Sequence, residues 1–93
     1  MSYTQNQTPR FLRLYKKLSN RELAPLHESM DMILENPHVG QEKLGDLSNL
    51  YVYKFKIGKT QWLLGYSVNE SKKVITWEVI GQHENFYRDL KRN

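Results

Sequence analysis

Ninety-three residues, 39% hydrophobic and 26% charged with five Gly and three Pro, make one globular unit over residues 1–93, which excludes a multidomain enzyme and leaves little room for a deep cofactor cavity. The absence of cysteine excludes a disulfide framework, a thiolate nucleophile and Cys-based zinc or iron–sulfur sites, and fits a reducing compartment. Fourteen Lys and Arg against ten Asp and Glu leave a formal charge of +4, a footprint that attracts polyanions such as RNA, DNA or the ribosome. The apolar runs are too short to span a membrane, and the opening MSYTQNQTPR lacks the apolar centre of a secretory signal, so a cytoplasmic protein is expected.

Ser2 to Gln7 offers a weak edge strand. Thr8-Pro9 then supplies an N-cap and a proline at the first helical position, and Phe11, Leu14, Tyr15 and Leu18 follow at the spacing of one helical face. Arg10, Arg13, Lys16 and Lys17 occupy the other face. Ser19-x-x-Glu22 has the form of a capping box, and Leu23, Leu26, Met30, Ile33 and Leu34 continue a second apolar stripe to Asn36-Pro37. Pro25 removes a helical hydrogen bond beyond the first turn, which predicts that the regular part of this helix begins near Ala24 rather than Asn20. His38 to Asn49 reads as a compact loop pinned by Leu44, Leu47 and Leu50.

From Leu50 the period changes to two, with Tyr51, Tyr53, Phe55 and Ile57 on one face and Val52, Lys54 and Lys56 on the other. Gly58-Lys59 makes a turn. Gln61 to Val68 is apolar on both faces, as a central strand is, and after a turn at Asn69-Glu70-Ser71 the run Val74 to Ile80 is the third strand. Glu84 to Arg92 closes the chain as a short basic helix. The expected fold class is α+β, an N-terminal helical hairpin packed on an antiparallel β-meander with a short C-terminal helix.

His27, His38 and His83 lack metal-ligand spacing, no glycine loop opens a helix after a strand, and there is no G-x-S-x-G elbow, so no metal and no cofactor is expected. The constellation that remains is Lys54 and Lys56 on one strand with His83, Tyr87 and Arg88 just after the last. In an antiparallel meander the end of one strand lies beside the start or middle of its neighbour, which brings these residues toward each other. Cutting RNA without metal requires proton removal from the 2′-hydroxyl, cations on the phosphorane and a proton for the 5′-oxygen, and His with clustered Lys supplies these. Each has a plainer reading: Lys54 and Lys56 as the solvated face of a strand, His83 and Tyr87 as a helix-start residue and a core aromatic.

Thr8-Pro9-x-Phe11, Lys16-Lys17-Leu18, Leu34-x-Asn36-Pro37-x-x-Gly40, Leu44-Gly45-x-Leu47-x-x-Leu50-Tyr51 and Gly81-x-His83 followed by Tyr87 together resemble the RelE/ParE superfamily of bacterial type II toxins. Within it, Gln61-Trp62-Leu63-Leu64-x-Tyr66 and Gly81-x-His83-x-x-x-Tyr87 look most like the YafQ and RelE branch of ribosome-dependent mRNA endonucleases. The resemblance implies a RelE-like fold and a toxin that cuts mRNA in the ribosomal A site without metal and so inhibits translation. It implies a cognate antitoxin as partner, with operator DNA bound only through the antitoxin complex. Carried over by residue, it makes His83, Tyr87, Lys54 and Lys56 catalytic, and Lys59, Arg88, Lys91, Arg13, Lys16 and Lys17 RNA-binding. The chain lacks the arginine that RelE-like members carry near Trp62, and Lys59, Thr60 and Gln61 stand where the YafQ branch has a further histidine and aspartate. The alternative within the superfamily is a ParE-like inhibitor of DNA gyrase without nuclease activity; a noncatalytic basic binding module is the third.

Overall fold

The computed structural model describes residues 3–43 and 50–91. In chain order it contains β1 (Thr4–Gln7), α1 (Pro9–Tyr15), α2 (Asn20–Glu35), a 3-10 turn (Pro37–Val39), β2 (Gln41–Lys43), β3 (Leu50–Ile57), β4 (Thr60–Asn69), β5 (Val74–Gln82) and α3 (His83–Lys91). The strands form one sheet in the order β1-β5-β4-β3-β2, with β1 parallel to β5 and every other pair antiparallel. The expected meander is thus β3-β4-β5, widened at one edge by β1 and at the other by β2.

Sequence dictates both N-terminal helices locally. The Thr8 hydroxyl accepts from the Phe11 amide at 3.1 Å and donates to the Glu78 carbonyl at 3.0 Å, so the residue that starts α1 also ties it to β5. α1 ends at Tyr15, and Leu18 lies beyond it in the turn. α2 corrects the expectation drawn from Pro25: it begins at Asn20 and carries the proline inside. The Glu22 carboxylate accepts from the Ser19 amide at 2.9 Å, fixing the start. Leu26 and Ile33, both fully buried, then hold the apolar face down despite the one lost hydrogen bond. The segment expected to be a loop from His38 holds the 3-10 turn and β2; Leu44 and Leu47 lie outside the described residues.

Pairing register divides the sheet into two faces. Tyr51, Tyr53, Phe55 and Ile57 share one with Trp62, Leu64 and Tyr66 of β4 and with Ile75, Trp77 and Ile80 of β5. The helical hairpin covers this face, through Phe11, Leu26 and Ile33, in the main core. The opposite face carries Leu50, Val52, Lys54 and Lys56 of β3, Gln61, Leu63 and Gly65 of β4, and Val79 and Gly81 of β5. There a second, smaller core forms from Leu50, Val52, Leu63, Val79 and Phe86 of α3. β4 is therefore buried on both sides from Trp62 to Tyr66, as its unbroken apolar run requires.

Gly65 is the floor on which α3 rests. A β-carbon at this position would lie 2.9 Å from Val79 Cγ1 and 3.0 Å from Phe86 Cζ, closer than carbon atoms pack. A register shift between Gly65 and Tyr66 leaves Glu78 without an opposite number, so Tyr66 pairs with Trp77. The Tyr66 hydroxyl, wholly buried, donates to the Pro37 carbonyl at 2.7 Å and accepts from the Gly40 amide at 3.0 Å, docking the end of the helical layer on the sheet. Burial pushes the Tyr66 phenol up to about 12, against the opposing hydrogen bond from the Gly40 amide.

Gly65→Ala should lower stability by about 1–3 kcal/mol through overpacking, read as a shifted urea midpoint at unchanged slope. Phe86→Leu in that background should recover part of the loss in a double-mutant cycle, because the clash is with the Phe86 ring tip. The raised Tyr66 phenol stabilises the fold fully below pH 10, the ordinary tyrosine value, and progressively less as pH rises toward 12, where the unfolded chain ionises first. Tyr66→Phe should flatten that alkaline loss in unfolding curves taken between pH 9 and pH 12.

Candidate RNA-binding and cleavage site

The face that carries α3 holds the candidate site at the end nearest the β3–β4 turn. Lys54 lies opposite Leu63, which lies opposite Gly81; Lys56 lies opposite Gln61. The next register position beyond Trp62–Gln82 brings the start of α3, His83, beside Gln61. With neighbouring strands about 4.8 Å apart, Lys56 and His83 stand roughly 10 Å from each other across β4. Their side chains are long enough to reach one phosphodiester from two sides. A β-carbon at Gly81 would meet none of the described atoms within 4 Å, so the sheet surface is open at Gly81, while Leu63 between it and Lys54 is wholly buried.

Lys54, Lys56 and His83 are all exposed. Among the described residues no carboxylate pairs with either lysine, and His83 has no hydrogen-bonding partner. The other two histidines are occupied. His27 Nε2 lies 2.6 Å from the Tyr15 hydroxyl. His38 bridges the Tyr51 hydroxyl at 3.0 Å and the Glu70 carboxylate at 3.0 Å, and Glu70 also accepts from Tyr3. That second cluster sits at the far end of the sheet. Burial, with the nearby Glu42 and Glu70 carboxylates, raises the Tyr51 phenol and keeps it neutral, the opposite of an activated nucleophile.

A shallow pocket of about 230 Å³ adjoins His83, lined also by Thr60, Gln61, Gln82 and Glu84. It opens where β5 turns into α3 while β4 still pairs with β3. Composition and periodicity leave Gln61 and Glu84 unmarked; continuing the β4–β5 register past Trp62 is the signal that finds them. Lys59 lies at the adjacent turn, where Gly58 takes a positive φ of 62°. Arg88 is exposed on α3 and engaged by a neighbour within the chain. Tyr87 and Lys91 belong to α3 by their backbone, and their side chains lie outside the described part.

The remaining basic residues are elsewhere. Arg13 is on α1, Lys16 and Lys17 follow it, and α1 packs on the opposite face through Phe11 and Trp77. The structure thus brings together Lys54, Lys56, Lys59 and His83 and leaves Arg13, Lys16 and Lys17 outside the group. Among the described residues no cluster of His and acidic side chains fits a metal ion, and no helix is long and apolar enough to cross a membrane.

A family model described as the ParE-like toxin of type II bacterial toxin–antitoxin systems matches residues 6–91. The chain belongs to that family, and so to the type II toxins of the RelE/ParE superfamily. Solved structures agree on the fold. The intact Escherichia coli RelBE toxin–antitoxin complex matches with TM-score 0.74 and 24% identity over 86% of this chain and 95% of that one. A free E. coli RelE variant matches with TM-score 0.74 and 25% identity over 90% and 86%. The RelBE2 complex of Mycobacterium tuberculosis matches with TM-score 0.77 and 20% identity over 89% and 100%. No curated protein matches the chain in sequence.

Replacing Lys54 and Lys56 together by alanine should weaken binding to a single-stranded RNA oligonucleotide and lower the slope of log K against log salt by about 1.4, or about 0.7 for each phosphate no longer neutralised. Because both side chains are exposed and unpaired, the unfolding free energy should stay within about 0.5 kcal/mol of the parent. Fluorescence anisotropy titrations at several salt concentrations measure the first, and urea melts the second.

Proposed function

We infer that this toxin is a ribosome-dependent mRNA endonuclease that cuts mRNA in the A site and so inhibits translation in the cytoplasm. The observation that carries this reading is the placement of two exposed, unpaired lysines and an exposed, unpartnered histidine on one face of the sheet, on either side of Gln61. Acid–base cleavage calls for a proton-transfer group and cations about one phosphate, and this arrangement offers both. His83 takes the proton of the 2′-hydroxyl or gives one to the 5′-oxygen, with Tyr87 or water performing the other transfer; the 2′-oxygen attacks phosphorus, the P–O5′ bond breaks, and a 2′,3′-cyclic phosphate and a 5′-hydroxyl result. Lys54 and Lys56 hold the phosphate and stabilise the charge of the pentacoordinate transition state.

Tyr87, four residues after His83 in α3, shares the proton transfer or stacks on a base in the same reading. Lys59, Arg88 and Lys91 contact RNA flanking the cut, while Arg13, Lys16 and Lys17 touch ribosomal RNA on the other face. The incomplete set of charges is a reason to expect ribosome dependence. No arginine stands near Trp62 on β4, and Gln61, the residue beside His83, carries a neutral amide that cannot stabilise the phosphorane as a guanidinium does. The ribosome would then supply orientation of the mRNA that this site lacks. The partner is an antitoxin, as in the RelBE complexes whose toxins share this fold. Operator DNA is bound only through that complex.

The family description favours one competing reading, gyrase inhibition, because it is a ParE-like model that matches. The purified chain added to bacterial cell-free translation should give new mRNA 5′ ends by primer extension, absent on naked mRNA. His83→Ala should reduce them about 10²–10⁴-fold, the range for loss of one acid–base group. Intact mRNA together with inhibited gyrase supercoiling would replace the nuclease reading with the ParE-like one.

A further inference from the structure

On the side of the sheet away from Lys54 and Lys56, a cleft of about 360 Å³ opens between β1 and the helical hairpin, in the size range of small-ligand sites. Phe11, Leu12 and Met30 form its apolar floor. His27 and Asp31, one turn apart on α2, stand on one side, and Gln5 of β1 stands on the other. The Trp77 indole N–H donates to Gln5 Oε1 at 2.9 Å, and because an indole nitrogen only donates, the Gln5 NH2 is left free for another acceptor. The Tyr15 hydroxyl and His27 Nε2, 2.6 Å apart, satisfy each other. Asp31 is exposed and has no hydrogen-bonding or ion-pairing partner among the described residues, in a chain of formal charge +4. The cleft thus offers an open carboxylate, a free amide donor and apolar walls, and none of the described lysines or arginines lines it.

We propose that this cleft is a second binding site that takes a guanine base, either of a free guanine nucleotide or of single-stranded RNA. A carboxylate only accepts hydrogen bonds, so it selects among bases by the donors they show. Of the four RNA bases, guanine alone presents two adjacent donors on one edge, N1–H and the 2-amino group. Adenine and cytosine set a ring-nitrogen acceptor beside their amino group, and uracil flanks its one N–H with carbonyls, so each turns a lone pair toward Asp31. With N1–H and the 2-amino group on Asp31, the O6 and N7 acceptors of the same base face β1, where the Gln5 NH2 donates. The flat faces of the ring lie against Leu12 and Met30, whose polarisable sulfur suits an aromatic surface. Lys16, one turn beyond Leu12, offers a cation to the phosphate attached to the base. The site lies apart from the cleavage face and does not rest on the nuclease reading.

The test titrates the full-length protein with guanosine, inosine and adenosine 5′-monophosphates (GMP, IMP and AMP), followed by amide NMR. All three carry the same phosphate, so differences among them report the base. GMP should shift the amides of Gln5, Leu12, Tyr15 and the turn from His27 to Asp31. It should bind about tenfold more tightly than IMP, which lacks the 2-amino donor, and at least as far ahead of AMP. Asp31→Ala should bring GMP to the level of AMP without lowering the urea midpoint, since this exposed carboxylate holds nothing in the fold. A uridine oligonucleotide carrying one guanine, compared with the same oligonucleotide carrying adenine, separates the sources. Guanine-dependent binding tighter than that of GMP assigns the cleft to RNA; equal or weaker binding assigns it to the free nucleotide. Equal affinity for GMP and AMP, a guanine preference that survives Asp31→Ala, agmatine bound as tightly as GMP, or no shifts at millimolar GMP would each overturn the proposal. Intact mRNA in cell-free translation sinks the nuclease reading alone.

Discussion

Where His83 stands depends on the ring of Phe86 seating on the bare backbone of Gly65. α3 starts directly from the last residue of β5, with no loop to aim it, so its path over the sheet is set by what its first buried side chain can find underneath. Phe86 is fully buried among Leu50, Val52, Leu63 and Val79, and the slot exists only because β4 has no side chain at its centre. That seat, three residues after His83, fixes the first turn of the helix and with it the pocket lined by Gln61, Gln82 and Glu84. A glycine that weakens a strand in isolation is here the condition for a site.

The same arrangement explains why the sheet has two cores of unequal size. The helical hairpin buries Trp62, Leu64, Tyr66 and Trp77 and leaves Tyr53 and Phe55 half-buried at the edge of the aromatic face, whereas α3 closes over only Leu50, Val52, Leu63 and Val79 on the other. Its reach ends where Leu50 and Val52 give way to Lys54 and Lys56 along the same side of β3. The strand changes from apolar to cationic at the point where its cover stops. Burial of an unpaired ammonium would be costly, so the lysines both require and mark the open part of the face.

Much of this was legible in the chain. The alternation from Leu50 to Ile57 separates the aromatic side from Lys54 and Lys56, and the unbroken apolar run of β4 announces a strand covered on both sides. The edges were harder. Gln41-Glu42-Lys43 is polar throughout and three residues long, so nothing in its periodicity marks β2, and Thr4–Gln7 is exposed at every position. Pro25 misled because its local cost is visible in sequence while the burial of Leu26 and Ile33 that outweighs it is not. Gly65 falls inside the run Gln61 to Val68 that reads as one strand, and sequence alone gives it no packing role. Only the third dimension shows the ring that fills it, and Gln61 joins the candidate site only once strand register sets it beside α3.

The lysines of β3 also answer a problem that any open sheet has. An edge strand with Tyr53 and Phe55 on one side invites pairing with its own kind, and charged residues on such an edge are a standard means of preventing this. Lys54 and Lys56 do so without burying anything, since two copies would align positive against positive. A protection that works by charge is selective rather than absolute: it repels an identical edge and attracts an acidic one by the same Coulomb term. The cations that mark the open part of this face are therefore also the ones that keep its edge from pairing with its own kind.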